Sequence, residues 1–198
     1  MPRLNILIAL FTVLAAAGAA TVSAETYVID PVHSSIGFSV RHMVISNVKG
    51  TFDKFEGKIE FDPDHVDACS VEFSIETESL NTKNEERDAD VSSGEFLDAT
   101  NHPKITFKSR KVSRVDNDWR AVGDLTIRGV TKEVELAFAL NGPITNPWGQ
   151  IVIGIEVETL KINRQDFGVS WNKKMDNGGL IVSDDVKIDI QLEAKQDG

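Results

Sequence analysis

Cysteine is almost missing: Cys69 is the single one among 198 residues, so no disulfide can form within the chain and packing must hold it together. Cations are also scarce. With 21 Lys+Arg against 31 Asp+Glu the formal charge is −10, which repels a phosphate backbone or an anionic membrane over most of the protein and argues against nucleic-acid binding. The 6 prolines and 14 glycines are too few for a collagen-like chain, and 41% hydrophobic residues are too many for a disordered one. There is no G-x-S-x-G elbow, no glycine-rich phosphate loop, no H-E-x-x-H and no C-x-x-C. Familiar catalytic signatures are therefore absent, and no cofactor is expected.

Residues 1–24 read as a cleavable export signal. Arg3 supplies the positive end, residues 4–20 carry no charge, and Val22-Ser23-Ala24 provides small residues for cleavage before Glu25. An uncleaved anchor helix is the competing reading, because about 17 apolar residues marginally span a bilayer. No cysteine follows the apolar run, which excludes lipid attachment there, so residues 25–198 are expected as a soluble domain without stable membrane insertion.

That domain alternates with a period of two. Ile36, Phe38, Val40 and His42 fall on one face, with Ser35, Gly37, Ser39 and Arg41 on the other. The same arithmetic recurs at Val71/Phe73/Ile75, Ile105/Phe107, Leu125/Ile127, Val134 to Leu140, Ile151 to Val157 and Val186 to Leu192. Turn signals separate these runs: Asp62-Pro63-Asp64, Asp116-Asn117-Asp118, Arg128-Gly129, Asn141-Gly142-Pro143, Asn146-Pro147 and Asn177-Gly178-Gly179. Residues 81–94 break the pattern and are read as a short helix or ordered loop. An all-β antiparallel chain of this kind must hide its edges in a barrel or a sandwich. The long stretches 49–62 and 151–162, with Gly57 and Gly154 inside them, favour the bends of a barrel wall.

Candidate chemistry is sparse. His33, His42, His65 and His102 never pair at the spacing that sets two ligands on one strand face or helix turn, so no metal site is expected. Asp62, Asp64 and Asp67 lack the glycine and terminal glutamate of a calcium loop, and a proline turn accounts for them. Arg87 and Asp88 suggest an ion pair holding the non-strand segment over a barrel mouth, against the plainer reading of a solvated helix face. Trp148 and Trp171 flank loops and are candidates for a cavity rim or for core packing. His42, on an apolar face, needs a hydrogen-bond partner from protein or from a ligand.

Taken in order, Tyr27-x-Ile29-Asp30-Pro31-x-His33-Ser34-x-Ile36-x-Phe38-x-Val40-x-His42, Gly50-x-Phe52-x-x-Phe55-x-Gly57, Phe96 followed by His102-Pro103-x-Ile105-x-Phe107, Gly123-x-Leu125-Thr126-Ile127-Arg128-Gly129-Val130-Thr131, and Arg164-x-Asp166-Phe167-Gly168 resemble the YceI-like family. The match runs from Tyr27 to about Ala194. The resemblance implies an eight-stranded antiparallel lipocalin-like β-barrel with a short helix, exported to the periplasm, non-enzymatic, and holding a long amphiphile. That amphiphile is typically a polyisoprenoid, with fatty-acid amides in some relatives. One departure stands out: the family helix usually reads Arg-Asp-x-His-Leu, and here Asp90 takes the histidine position in Arg87-Asp88-Ala89-Asp90-Val91. An acid there disfavours a pyrophosphate head and favours a neutral or cationic one.

The residues expected to face a ligand are Ile36, Phe38, Val40 and His42 on the first wall, and Phe73, Ile75, Phe107, Leu125 and Ile127 on others. By family position and chemistry, Arg164, Phe167 and Trp171 join them at the rim, Arg164 bonding a head group or pairing with Asp166 or another acid. The leading expectation is a periplasmic carrier of an isoprenoid-type lipid. An enzyme on such a lipid, with His42 as general base, and an envelope stress or interaction module with a vestigial, filled cavity are the other two. A homodimer stays open.

Overall fold

The computed structural model describes residues 24–116, 118–176 and 178–198. All of the expected export signal except Ala24 lies outside the described residues, as do Asn117 and Asn177 of two turn signals.

Among the described residues the chain forms strands β1 (Glu25–Ile29), β2 (Ser35–His42), β3 (Ser46–Phe52), β4 (Phe55–Phe61), β5 (Ser70–Glu76), β6 (Leu80–Asn81), β7 (Lys104–Val115), β8 (Asp118–Ile127), β9 (Val130–Thr145), β10 (Ile151–Asn163) and β11 (Val182–Gln196). One α-helix, α1 (Glu85–Ser92), and short 3-10 turns complete it. The strands pair antiparallel in the order β1-β4-β5-β7-β8-β9-β10-β11-β2-β3-β6, and β1 also pairs with β11. The eleven segments make eight walls. β1 and β2 lie end to end along β11, through Ile29 opposite Ala194 and Ile36 opposite Ile190. Likewise β4 and β3 back β1 and β2, and β5 and β6 back β4 and β3. Each neighbour in sequence is a neighbour in space, so the sheet is an up-and-down meander closed into a barrel with no free edge.

The breaks have local causes. Between β1 and β2 the Asp30 carboxylate takes Val32 N at 3.1 Å and His33 Nδ1 at 2.7 Å, which turns the chain out of extended pairing. Gly57 marks a close approach: a Cβ there would lie 2.7 Å from the Glu72 carbonyl and 2.7 Å from Ile29 Cδ1. Gly154 sits where the β9–β10 register shifts.

The barrel has two different halves. At the lower end, which carries the β4–β5, β7–β8 and β9–β10 turns, Tyr27, Phe61, Trp119 and Phe138 follow one another with ring centroids 5.6–6.3 Å apart, the first two contacts edge-to-face and the third stacked. These rings, with Val112, Ile153 and Ala194, fill the interior. Cys69 is buried beside them, its Sγ donating to the Asp62 carbonyl at 3.3 Å, and burial pushes its thiol pKa up. Asp62 also accepts from the backbone of Asp64 and His65, as a proline turn requires. Trp148 is not a cavity residue: it is 79% exposed at the β9–β10 turn.

Candidate functional site: an apolar cavity beneath the helix

The upper half of the barrel is hollow. Its cavity of about 470 Å³ lies within the usual range of small-molecule sites, ~300–1,000 Å³. Phe73 and Phe107, stacked with centroids 5.4 Å apart, line it toward the filled half. All twelve residues singled out from the sequence line this one cavity: Ile36, Phe38, Val40, His42, Phe73, Ile75, Phe107, Leu125, Ile127, Arg164, Phe167 and Trp171. The expectation of a filled, vestigial interior is not met.

Register explains the shared facing. Ile36, Phe38 and Val40 stand opposite Ile190, Ile188 and Val186, and directly paired residues of an antiparallel sheet project to the same side. Those β11 residues line the cavity as well, together with Val134 and Leu136 of β9 and Leu160 and Ile162 of β10. The β10 pair escaped the sequence reading because the β10–β11 register shifts between Val157 and Leu160. Before the shift the odd-numbered Ile153, Ile155 and Val157 are buried; after it the even-numbered Leu160 and Ile162 face in.

Helix α1 lies across the mouth. Asn84 caps it, its side chain accepting from Arg87 N at 2.9 Å. Arg87 and Asp88 do not hold it by pairing with each other; both meet at buried Thr82. Thr82 N and Oγ1 donate to Asp88 Oδ1 at 2.8 and 2.5 Å, while Arg87 Nε and Nη2 donate to Thr82 Oγ1 and the Thr82 carbonyl at 2.8 and 2.9 Å. Beyond α1, Phe96 packs on Trp171 with centroids 5.0 Å apart. From the β8–β9 turn, Arg128 ties the two sides of the mouth together, donating to the carbonyls of Gly168 and Gly94.

Arg164 is buried rather than at the rim, and of the partners expected for it the structure gives another acid than Asp166: Asp184, at 3.2 Å. Its other donors go to the carbonyls of Ser183, Val169 and Trp171 at 2.7–3.0 Å. Burial lowers its pKa and Asp184 opposes that shift. Arg164 therefore locks residues 164–171 onto the start of β11, with most of its donors spent. His42 lines the cavity at the end of β2, where its side chain makes no hydrogen bond to another described residue; its neighbours along the lining, Val40, Ile181 and Val182, are apolar. The charges left uncommitted at the mouth are acidic: Glu86, Asp90 and Glu95 line it and are exposed.

At the other end of β11, Asp30, His33 and Glu193 bring ligand atoms within 4.8 Å of one another. The Lys195 ammonium already sits 2.8 Å from Asp30 Oδ2, so a cation there would meet an occupied carboxylate.

A closed eight-walled barrel with a filled lower half and an apolar chamber under a helix defines a protein built to enclose an apolar guest. Comparison with known proteins specifies the class. A family model described as the YceI-like domain matches residues 27–194, and the chain belongs to that family. A UPF0312 protein of Staphylococcus aureus strain MSSA476 is 37% identical over 168 residues, covering 84% of this chain and 95% of that protein. The YceI protein of Campylobacter jejuni is 30% identical with a TM-score of 0.68, covering 80% of this chain and 90% of that one. BcnA of Burkholderia cenocepacia has a TM-score of 0.73 at 23% identity over 83% of this chain and 98% of that one, a likeness of fold. A polyisoprenoid binding domain from Saccharophagus degradans shares the fold at 15% identity and a TM-score of 0.65, over 88% of this chain and 99% of that one.

Proposed function

We propose that this protein is a periplasmic carrier that holds the tail of a long isoprenoid-type or fatty-amide amphiphile in its upper chamber. The observation that carries the reading is the chamber itself, walled by aliphatic and aromatic side chains from the strands and overlain by α1. Each CH₂ withdrawn from water contributes about 0.8 kcal/mol, so about ten enclosed carbons offset the several kcal/mol of freedom lost on binding. A wall of 12 residues, the length of β7, is roughly 30 Å high when tilted near 40°, and half of the barrel is filled here, so a long prenyl chain must fold back or protrude. That a fold neighbour is a polyisoprenoid binding domain supports the choice of tail.

The mouth supports a choice of head. Its arginines are engaged by the protein, Arg87 by Thr82, Arg128 by the carbonyls of Gly94 and Gly168, and Arg164 by Asp184 and backbone carbonyls, whereas Glu86, Asp90 and Glu95 are exposed carboxylates. A pyrophosphate would be repelled, and a neutral or cationic head suits the charges present. The export signal read at residues 1–24 supports the compartment. Native mass spectrometry of protein purified from its own periplasm, followed by organic extraction, tests the proposal. A stoichiometric prenyl or acyl amphiphile is expected; protein that arrives empty and refuses added prenyl lipids overturns it.

A further inference from the structure

The turn joining β2 to β3 is built from the wrong residues for a turn. Ile45 N donates to the His42 carbonyl at 3.1 Å, and the two residues between them, Met43 and Val44, have φ of 50° and 63°. His42 pairs with Ser46, so the loop is three residues long; Asn and Gly are the residues favoured where φ is positive, and a β-branched residue in the left-handed region is strained. Nothing in the packing repays that choice. Val44 is 62% and Ile45 75% exposed, with Met43 at 39%, so three adjacent apolar side chains face water at one tip. The tip is held rigid nonetheless, by Arg41 Nε on the Val44 carbonyl at 3.1 Å and by Met43 N on the Ile181 carbonyl at 2.8 Å. It stands beside the mouth, since His42, the first residue of the turn, lines the chamber.

The outer wall next to this tip is basic in an otherwise acidic protein. Lys161 of β10 stands directly opposite Lys187 of β11, and the same row continues through Ser39 of β2 to Lys49 of β3. Like charges directly opposed destabilise a sheet unless something anionic lies over them. With Arg41 and Lys83, five cations gather in this concave face against Asp185 and Asp189, and only Asp185 pairs closely, with Lys161 at 2.7 Å. Exposed Lys173 and Lys174 lie on the loop to which the tip is anchored, through Ile181 N on the Lys173 carbonyl.

From these two features we infer that the β2–β3 tip and the basic wall beside it dock the barrel on an anionic bilayer, with Met43, Val44 and Ile45 entering the boundary between head groups and acyl chains. Apolar side chains ringed by lysine and arginine are what an interfacial anchor requires. A protein partner fits less well, because a convex tip of three side chains is far below the area of a stable interface, about 1,200 Å² or more. At the lower end Ile144, Trp148 and Ile151 are also exposed, but residues 143–151 contain no lysine or arginine and lie away from the chamber. The inference goes beyond the carrier reading and concerns a different surface.

The test is flotation of the chain from Glu25, which contains every strand of the barrel, with phosphatidylcholine vesicles and with vesicles that include about 30% phosphatidylglycerol. Wild type is expected to float with the anionic vesicles and to be released by salt. The double variant Met43→Asn/Val44→Gly, which puts tolerant residues at the two positive-φ positions, is expected to keep or raise the thermal midpoint while binding falls about tenfold or more. Lys49→Glu/Lys187→Glu is expected to remove the dependence on phosphatidylglycerol. Loading with a detergent-solubilised prenyl alcohol should be unchanged in both variants, which separates docking from chamber binding. Wild type that does not float, equal binding to neutral vesicles, an Asn-Gly variant that floats like wild type, or loss of binding in Trp148→Ser instead would each overturn the inference.

Discussion

Lys195 Nζ lies 2.8 Å from Asp30 Oδ2, an ion pair that ties the last turn of pairing in β11 to the break between β1 and β2. Asp30 is 7% exposed and also accepts from His33 Nδ1 at 2.7 Å and Val32 N at 3.1 Å. The bond to Lys195, then that to His33, outweighs the burial that opposes ionisation and lowers the Asp30 pKa from 3.8 to about 2. A carboxyl whose folded pKa is depressed adds stability above its unfolded pKa, and that stability is lost as pH falls through the folded value. The barrel should therefore lose on the order of 1–2 kcal/mol between about pH 4 and pH 2 from this group. Urea midpoints measured across that window should fall in wild type. In Asp30→Asn they should start lower at neutral pH and lose less on acidification; an unchanged neutral-pH midpoint would show that the pair contributes nothing.

Occupancy of the chamber should depend on its free volume. Val40 is half-buried on its lining, so a larger side chain there has space to enter without displacing packed neighbours. Val40→Trp is expected to exclude long prenyl tails while changing stability by less than about 1–2 kcal/mol, because overpacking costs more only where the core is already full. Phe38→Asp is expected to abolish loading by setting a carboxylate against Phe52 and Ile188. Lipid bound per protein, by native mass spectrometry, reads both. Full occupancy in either variant would place the tail somewhere else.

How far the sequence led to this chamber depends on how regular each wall is. β2 runs from Ser35 to His42 and pairs with β3 without a shift, so the alternation Ile36, Phe38, Val40, His42 stays in phase and all four reach the lining. β10 does shift, and an alternation counted from Ile151 then points away from Leu160 and Ile162. Eight walls were legible only through the family resemblance. The pattern marks runs of strand, and it says nothing of β1 and β2 being one wall bent at Asp30. The partner of Arg164 was hidden for a different reason. Asp184 lies 20 residues away across an irregular loop, and no periodicity links the two. Trp148 shows the reverse failure: an aromatic beside a turn reads like a rim residue, yet its end of the barrel is filled by Phe61, Trp119 and Phe138.

Head-group preference should follow the carboxylates at the mouth. Asp90 and Glu86 lie one turn apart on α1 and both line the entrance, and neither forms an ion pair with a cation among the described residues. Asp90→His restores the residue usual in the resembling family, and with Glu86→Gln it removes two negative charges. Binding of a prenyl pyrophosphate should rise about tenfold relative to the prenyl alcohol in the double variant, since two charges a few ångströms from a head group are worth about 1 kcal/mol or more even when solvated. Competition between the two lipids at low and high salt measures it, with screening expected to shrink the difference. A preference that does not move would mean that the head lies clear of α1.

The hydroxyl of Thr82 should control how often the mouth opens. It donates to Asp88 Oδ1 at 2.5 Å and accepts from Arg87 Nε at 2.8 Å, whereas α1 itself buries none of its own residues. A helix so short is unstable alone, and with little burial its tether has a large share in keeping it in place. Thr82→Val keeps the shape of the side chain and removes both bonds, leaving Arg87 Nε without an acceptor, at a cost of about 1–2 kcal/mol. The loss should be local. Amide exchange over residues 85–92 is expected to quicken by about tenfold or more while β7, β8 and β9 keep their protection, and the release of bound lipid should accelerate with it. Thr82→Ser retains the hydroxyl and should restore both rates. Faster exchange in α1 with an unchanged lipid off-rate would show that the helix covers the chamber without gating it.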